Sequence, residues 1–271
     1  MTFRGQGGEV EGMKQENQRP YKRFSEIYDS VMEGVPYGRW LRFIETVWAR
    51  HDARPRTVLD LACGTGNMTL LLAERGYKAI GLDSSPFMLE KARAKALQRG
   101  LNVEFILADM RDFHLAAPVD SAICVFDSIN YLTTPEDLSR TFRCVFHNLT
   151  AAGLFVFDMN TQHRLATIPK EVTLIEGPDY LLIWRDLPDP PNCSWAVKLT
   201  GFLRVNDVWE RFDERHMEKA YPCDSVRLWL EEAGFETIWL YDTLSFNPVH
   251  SGTTRAYFVA KKPGLPVKLR G

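Results

Sequence analysis

No apolar run in this chain approaches the ~18 residues a membrane-spanning helix needs, and the N-terminus lacks the apolar core of a secretory signal. Cysteine is sparse. The five in 271 residues (Cys63, Cys124, Cys144, Cys193, Cys223) stand singly, with no CxxC pair and no His/Cys cluster. That argues against a disulfide framework and a zinc ribbon, and no metal is expected. An excess of one charge is also missing: 33 Lys and Arg against 35 Asp and Glu leave a formal net charge of -2. Nothing global therefore attracts nucleic acid or an anionic membrane. There is no internal repeat and no low-complexity tract. What remains is the composition of an ordinary soluble protein, 45% hydrophobic and 25% charged, read as cytoplasmic. The length suits one large domain, or one carrying an insertion.

Texture along the chain divides it into six segments. Residues 1–19 are polar and glycine-rich and are expected to form a disordered tail. Residues 20–55 carry two helical patterns, 21–32 and 37–50, around a Gly34-Val35-Pro36 break, and are read as an N-terminal helical cap. Residues 56–163 alternate short apolar runs (57–61, 78–82, 103–107, 119–126, 154–157) with helical patterns (67–74, 86–98, 135–148). Ser85 and Pro86 punctuate the start of the second helix. Such alternation predicts a parallel sheet covered on both faces. Residues 164–220 break the rhythm with four strand patterns and no helix, an antiparallel insertion with a hairpin turn at Asn206-Asp207. Residues 221–262 supply a helix and two closing strands, and 263–271 a second tail. The expected fold is α/β, a doubly wound, mostly parallel seven-stranded sheet with an antiparallel β insertion and the helical cap.

The most informative stretch is Val58-Leu59-Asp60-Leu61-Ala62-Cys63-Gly64-Thr65-Gly66-Asn67. It reads as a strand, a glycine turn and the start of a helix, where backbone can approach a ligand and helix N–H groups are unpaired. Asp83 ends the next strand, placed to accept two hydrogen bonds from a ribose diol. GxG alone is weak; in this context it predicts a nucleoside site. A dinucleotide fingerprint wants Gly or Ala where Thr69 stands, and a P-loop wants Lys where Asn67 stands.

Asp60 through Gly66 resembles motif I of the class I S-adenosylmethionine-dependent methyltransferases, a Rossmann-like family, with Ala62 where glycine is frequent. Asp83 matches that family's ribose-binding acid, and Ala108-Asp109-Met110 its acid after the third strand, facing the adenine. Phe126-Asp127-Ser128-Ile129-Asn130-Tyr131 matches the loop lining the methyl-donor pocket. Tyr21, Phe24, Tyr28-Asp29, Pro36-Tyr37 and Trp40 resemble the cap of a bacterial branch with mostly unassigned substrates. Glu214-x-His216, Tyr221 and Ala233-Gly234-Phe235 resemble the end of that branch's insertion. The resemblance implies S-adenosylmethionine as donor and S-adenosylhomocysteine as product. It implies donor contacts from Tyr21, Tyr28, Asp60, Ala62, Gly64, Gly66, Asp83, Ser84, Asp109, Met110, Phe126 and Asp127.

Methyl transfer from a sulfonium needs alignment and exclusion of water, and a base only where the acceptor must lose a proton. Asp127, Tyr131 and His216 are the candidates for that work, with Glu214 and Glu218 on the His216 face of its strand. Asp158 and Asn160, ending the fifth strand, are further polar candidates. Lys91, Arg93, Lys95 and Arg99 read as the solvated face of a helix. Trp184, Trp195, Trp209 and Phe212 are expected to fasten the insertion to the domain. The expected acceptor is a small molecule enclosed by an insertion leaving directly from the fifth strand, with N or O as nucleophile. Three alternatives stay open: an RNA methyltransferase, a nicotinamide-dependent oxidoreductase, and a non-catalytic S-adenosylmethionine-binding regulator.

Overall fold

The computed structural model describes residues 21–264. The expected tail 1–19 lies outside the described residues, as do residue 20 and all of 263–271 except Pro263 and Gly264. In chain order the elements are a 3-10 turn (Phe24–Glu26), α1 (Tyr28–Val31), α2 (Tyr37–Arg50), β1 (Thr57–Leu61), α3 (Asn67–Glu74), β2 (Lys78–Asp83), α4 (Pro86–Gln98), β3 (Glu104–Leu107) and β4 (Val119–Cys124). A second 3-10 turn (Ser128–Tyr131), α5 (Pro135–Asn148), β5 (Leu149–Asn160), α6 (Gln162–Thr167), β6 (Val172–Gly177), β7 (Tyr180–Asp189), β8 (Ser194–Val205) and β9 (Val208–Lys219) follow. The chain then runs through α7 (Cys223–Glu232), β10 (Thr237–Asp242) and β11 (Arg255–Lys261).

Seven strands form one sheet in the order β10-β11-β5-β4-β1-β2-β3. Neighbours from β5 to β3 run parallel; β11 pairs antiparallel with both β5 and β10. Both faces are covered, so alternate residues of the inner strands enter two different cores. Phe155, Phe157 and Met159 of β5 join Phe142 of α5 and Leu230 of α7, while Leu154 and Val156 join Trp48 of α2 and Leu72 of α3. Chain order reverses between β1 and β4. In an open α/β sheet, that switch point places the ligand crevice beyond the carboxyl ends of these strands.

The four inserted strands form a separate antiparallel sheet, β6-β7-β8-β9. Asn206 and Asp207 close its last hairpin with φ of 49° and 64°, both left-handed, as a tight type I′ turn requires. One face of this sheet buries Leu182, Val197, Leu199 and Phe212 against Phe24 and Ile27 of the N-terminal segment.

Four expectations need correction. The 21–32 helical pattern splits into a 3-10 turn and the short α1, because tertiary contacts, not local ones, satisfy its backbone: Glu214 accepts from the N–H groups of Tyr21 (2.7 Å), Arg23 (2.9 Å) and Phe24 (3.0 Å). The fifth strand is much longer than 154–157. Its polar ends look like loop, but pairing with β11 carries it through Asp158 to Asn160. The insertion does not leave β5 directly, since α6 intervenes, capped by the Thr161 hydroxyl accepting from Arg164 N–H. Trp209 fastens nothing; it is half exposed on the outer side of the inserted sheet.

Candidate active site

A cavity of about 300 Å³ lies at the switch point. Its floor comes from the carboxyl ends of β1, β2 and β4, its roof from β8 and β9, and one side from Tyr21, Tyr28 and Tyr37. After β1 the chain enters a tight loop in which Ala62 (φ 53°), Gly64 (φ 55°) and Gly66 (φ 80°) are all left-handed. Ala62 adopts that conformation at a cost of roughly 1–2 kcal/mol. A Cβ on Gly64 would meet nothing within 4 Å, so this glycine leaves open room at the cavity edge. Gly66 differs: a Cβ there would come 3.0 Å from Ala92 and 3.3 Å from Phe105. It does not line the cavity, and its smallness serves the packing of α4 and β3 against the loop.

Asp83 ends β2 with both oxygens engaged, accepting from Gly64 N–H and Ser85 N–H at 2.8 Å each. Burial pushes its carboxyl up, against the backbone N–H groups that favour the charge. Asp60 is fully buried beneath it, and burial lifts its carboxyl to about 7 although the Thr69 hydroxyl donates to it at 2.5 Å. That bond also explains the threonine where a dinucleotide fingerprint has Gly or Ala. Ser84, Met110 and Phe126 line the cavity beside Asp83. Asp109 does not. Its carboxylate is engaged by the Arg111 guanidinium (2.6–3.1 Å), whose hydrogen bonds hold it below the ordinary carboxylate range; Arg111 reaches on to Asp137.

Lys95 corrects a further expectation. Instead of facing solvent, its ammonium donates to Asp29 Oδ2 (2.7 Å), Thr65 Oγ1 (3.0 Å) and Asn67 Oδ1 (2.6 Å). Asp29 also accepts from Thr65 and Asn67. Burial works against the Asp29 charge, but these three donors outweigh it and hold the carboxyl low. The cluster latches α1 to the glycine loop. Lys95→Met should weaken S-adenosylhomocysteine binding about five-fold by calorimetry, roughly 1 kcal/mol, a modest effect because Asp29 stays 42% exposed. Unchanged affinity would show that the latch does not hold the site together.

On the far side, Phe126 (φ 57°) and Asp127 (φ 54°) take consecutive left-handed conformations. The buried Asp158 carboxylate holds them there, accepting from Phe126 N–H (2.8 Å) and Asp127 N–H (3.0 Å). Arg255, at the start of β11, donates to Asp127 (3.0 Å) and to Asp158. The Asn160 amide donates to both Asp127 (2.7 Å) and Glu218 (3.0 Å). Burial raises the Glu218 carboxyl well above the ordinary range, and the Asp127 charge raises it further. On β8 and β9 the cross-strand pairs Trp195–Glu218, Val197–His216 and Leu199–Glu214 share the inward face. His216 sits 4.6 Å from the Tyr21 ring, and its Nε2 is buried without a hydrogen bond, 3.4 Å from Glu214 Oε2. Tyr131 and Tyr21 share a 2.6 Å hydroxyl hydrogen bond, and burial keeps both phenols protonated.

A methyltransferase-domain family model matches residues 58–153, the span from β1 into β5. The Bacillus subtilis protein YqeM is 29% identical over 244 residues, 89% of this chain and 97% of that one. Demethylmenaquinone methyltransferase of Deinococcus radiodurans is 30% identical over 188 residues, 62% of this chain and 76% of that enzyme. The crystal structure of an S-adenosylmethionine-dependent methyltransferase from Clostridium acetobutylicum superposes with a TM-score of 0.78 at 27% identity, covering 91% of this chain and all of that one. The chain belongs to the class I S-adenosylmethionine-dependent methyltransferases. It is an enzyme, and S-adenosylmethionine is its methyl donor.

Within this methyltransferase the cavity gathers Tyr21, Tyr28, Asp60, Ala62, Gly64, Asp83, Ser84, Met110, Phe126, Asp127, Tyr131 and His216, and leaves out Gly66 and Asp109. Sequence reasoning missed Arg255 and the Lys95 latch. No local pattern marks Arg255; only the register that sets it opposite Asn160 brings it to Asp127. Glu218 lies where the strand periodicity put it, on the His216 face two residues further on.

Proposed function

We propose that this methyltransferase binds its donor against the glycine loop and Asp83, and transfers the methyl group to a small molecule enclosed between β4, the N-terminal segment and the inserted sheet. One observation carries the reading: the cavity is lined by the strand ends of the sheet, the N-terminal segment and the inserted strands, with the ribose-type acid on one side and a polar, partly unsatisfied group on the other. The donor fits the residues present. Gly64 leaves room, Asp83 has lone pairs left for a ribose diol, and the aromatic faces of Tyr21, Tyr28 and Phe126 suit a sulfonium. When bound, the donor supplies an activated methyl group, so the protein's work is orientation and exclusion of water. Segment 20–55 acts as the cap and 164–220 as the acceptor lid, joined to each other through Glu214. A small acceptor also agrees with a relative named for a quinone substrate. Among the described residues no lysine or arginine lines the cavity, and Lys95 is committed to the latch, which weakens the case for a phosphate-bearing acceptor.

S-adenosylhomocysteine at 100 times its dissociation constant should stabilise the protein by about 2.7 kcal/mol, read as a rise in melting temperature, while NADH and ATP should leave it unmoved. A shift with NADH and none with S-adenosylhomocysteine would overturn the donor site.

A further inference from the structure

The cavity's charge is one-sided. Asp60, Asp83, Asp127 and Glu218 line it and, among the described residues, no lysine or arginine does. On the donor side the acids are already spoken for: Asp60 by the Thr69 hydroxyl, Asp83 by two backbone N–H groups. On the acceptor side Asp127 is engaged too, by Arg255 (3.0 Å) and the Asn160 amide (2.7 Å), but among the described residues Glu218 has no ion pair of its own. Behind the wall, Arg255 contacts Asp127 and Asp158, and its charge acts on Glu218 without a direct ion pair. Among the described residues only Asn160 donates to Glu218, through one oxygen. Beside it stands His216, 6% exposed, its Nε2 without a partner. Trp184 and Trp195 face the same space, their indole N–H groups both donating to Asp186 Oδ1 at 3.1 Å, which fixes the two rings.

Such a wall discriminates between acceptor chemistries. A carboxylate or phosphate would meet two acids whose one contacting cation, Arg255, is already shared between Asp127 and Asp158. A neutral hydroxyl would leave the negative excess uncompensated. A protonated amine supplies the missing charge and N–H donors, and its neighbouring carbons can lie on the indole faces.

We propose that the acceptor is a small molecule bearing a primary or secondary amine, its nitrogen held by Glu218 and Asp127 between the Trp184 and Trp195 rings, and that the product is its N-methyl derivative. The proposal rests on the reading of this cavity as the methyl-transfer site. Pairing with the ammonium sends the proton that burial favours on Glu218 to solvent, and the ammonium then gives that carboxylate one of its own protons. The freed nitrogen lone pair then forms the N–CH₃ bond as the C–S bond breaks, and that bond's electron pair goes to sulfur. The product leaves as an ammonium, and Glu218 is left in the protonated form from which the cycle began, with one proton released per turnover.

The test uses the full-length enzyme, methyl-labelled S-adenosylmethionine and the low-molecular-weight fraction of an extract from its source cells. The labelled product should be retained on a cation exchanger at neutral pH and withstand mild base. Glu218→Gln should lower its yield at least ten-fold while leaving S-adenosylhomocysteine affinity within two-fold. The S-adenosylhomocysteine melting shift confirms that the variant is folded, and Asp127→Asn replaces it if it is not. Label in the flow-through, or released by mild base as an ester would be, overturns the amine. A cationic product made equally well by the folded variants overturns the assignment of its nitrogen to Glu218 and Asp127. Label only in RNA, or no labelled small molecule at all, overturns the small-molecule reading on which the proposal rests.

Discussion

Asp83→Ala is expected to weaken S-adenosylhomocysteine binding ten- to a hundred-fold. A carboxylate hydrogen bond contributes roughly 1.5–3 kcal/mol, and two to a ribose diol would be lost together, so even a heavy discount leaves this range. The same carboxylate holds Gly64 N–H and Ser85 N–H, so the loop loses an anchor as well. Asp83→Asn separates the two effects. It keeps one acceptor oxygen for the backbone but loses the charge, and should fall between wild type and alanine. Stability should follow the opposite course with pH. Burial raises the Asp83 carboxyl, so its favourable contribution is present below the ordinary carboxylate range and is lost as pH rises through the raised value. The melting temperature of Asp83→Ala relative to wild type should therefore be higher above the raised Asp83 value than in the ordinary carboxylate range below it. Calorimetric affinity unchanged in a folded alanine variant would remove Asp83 from the donor site.

The largest effect on stability is expected at a residue with no sequence signature. Arg255→Leu leaves Asp127 and Asp158 facing each other without their shared cation, and Asp158 is wholly buried. Removing one partner of a buried ion pair costs about 3–5 kcal/mol, which for a chain of this size lowers the melting temperature by roughly 10 °C. Phe126 and Asp127 would lose their hold on two consecutive left-handed conformations, so turnover should fall with stability. The sign with pH is again definite. Burial already lifts the Asp158 carboxyl to about 6 with Arg255 in contact, and without the guanidinium it rises further. A carboxyl raised in the folded state contributes stability at low pH and loses it as pH climbs through the raised value. The deficit of Arg255→Leu should accordingly be largest near pH 8 and shrink towards pH 5. Asp158→Asn added to Arg255→Leu should recover part of it, because the amide needs no counter-ion. A variant as stable as wild type at pH 8 would show that solvent, not Arg255, compensates these acids.

The seven-stranded sheet, its glycine loop and Asp83 were readable from residue order because each depends on near neighbours. Strand β1, the left-handed turn and α3 are contiguous, and the acid that holds Gly64 ends the very next strand. The inserted hairpin was equally local, with Asn206-Asp207 supplying the turn. Gly66 and Asp109 fall outside the cavity lining because residue type does not say which way a group points. Gly66 is small for the sake of Ala92 and Phe105, and Asp109 is claimed by an arginine two residues on.

The acceptor half was decided by contacts that join distant segments. Glu214 caps the backbone at Tyr21 across 193 positions, Arg255 reaches Asp127 across 128, and Lys95 reaches Asp29 across 66. Sequence by itself determined the fold and the donor, and placed Asp83 at the end of β2 beside the glycine loop, since periodicity, turn chemistry and a strand-end carboxylate all act over short range. Tertiary structure alone decided which carboxylates go without a cation, because that balance depends on which buried groups the sheets bring together, and desolvation makes each unpaired charge there costly.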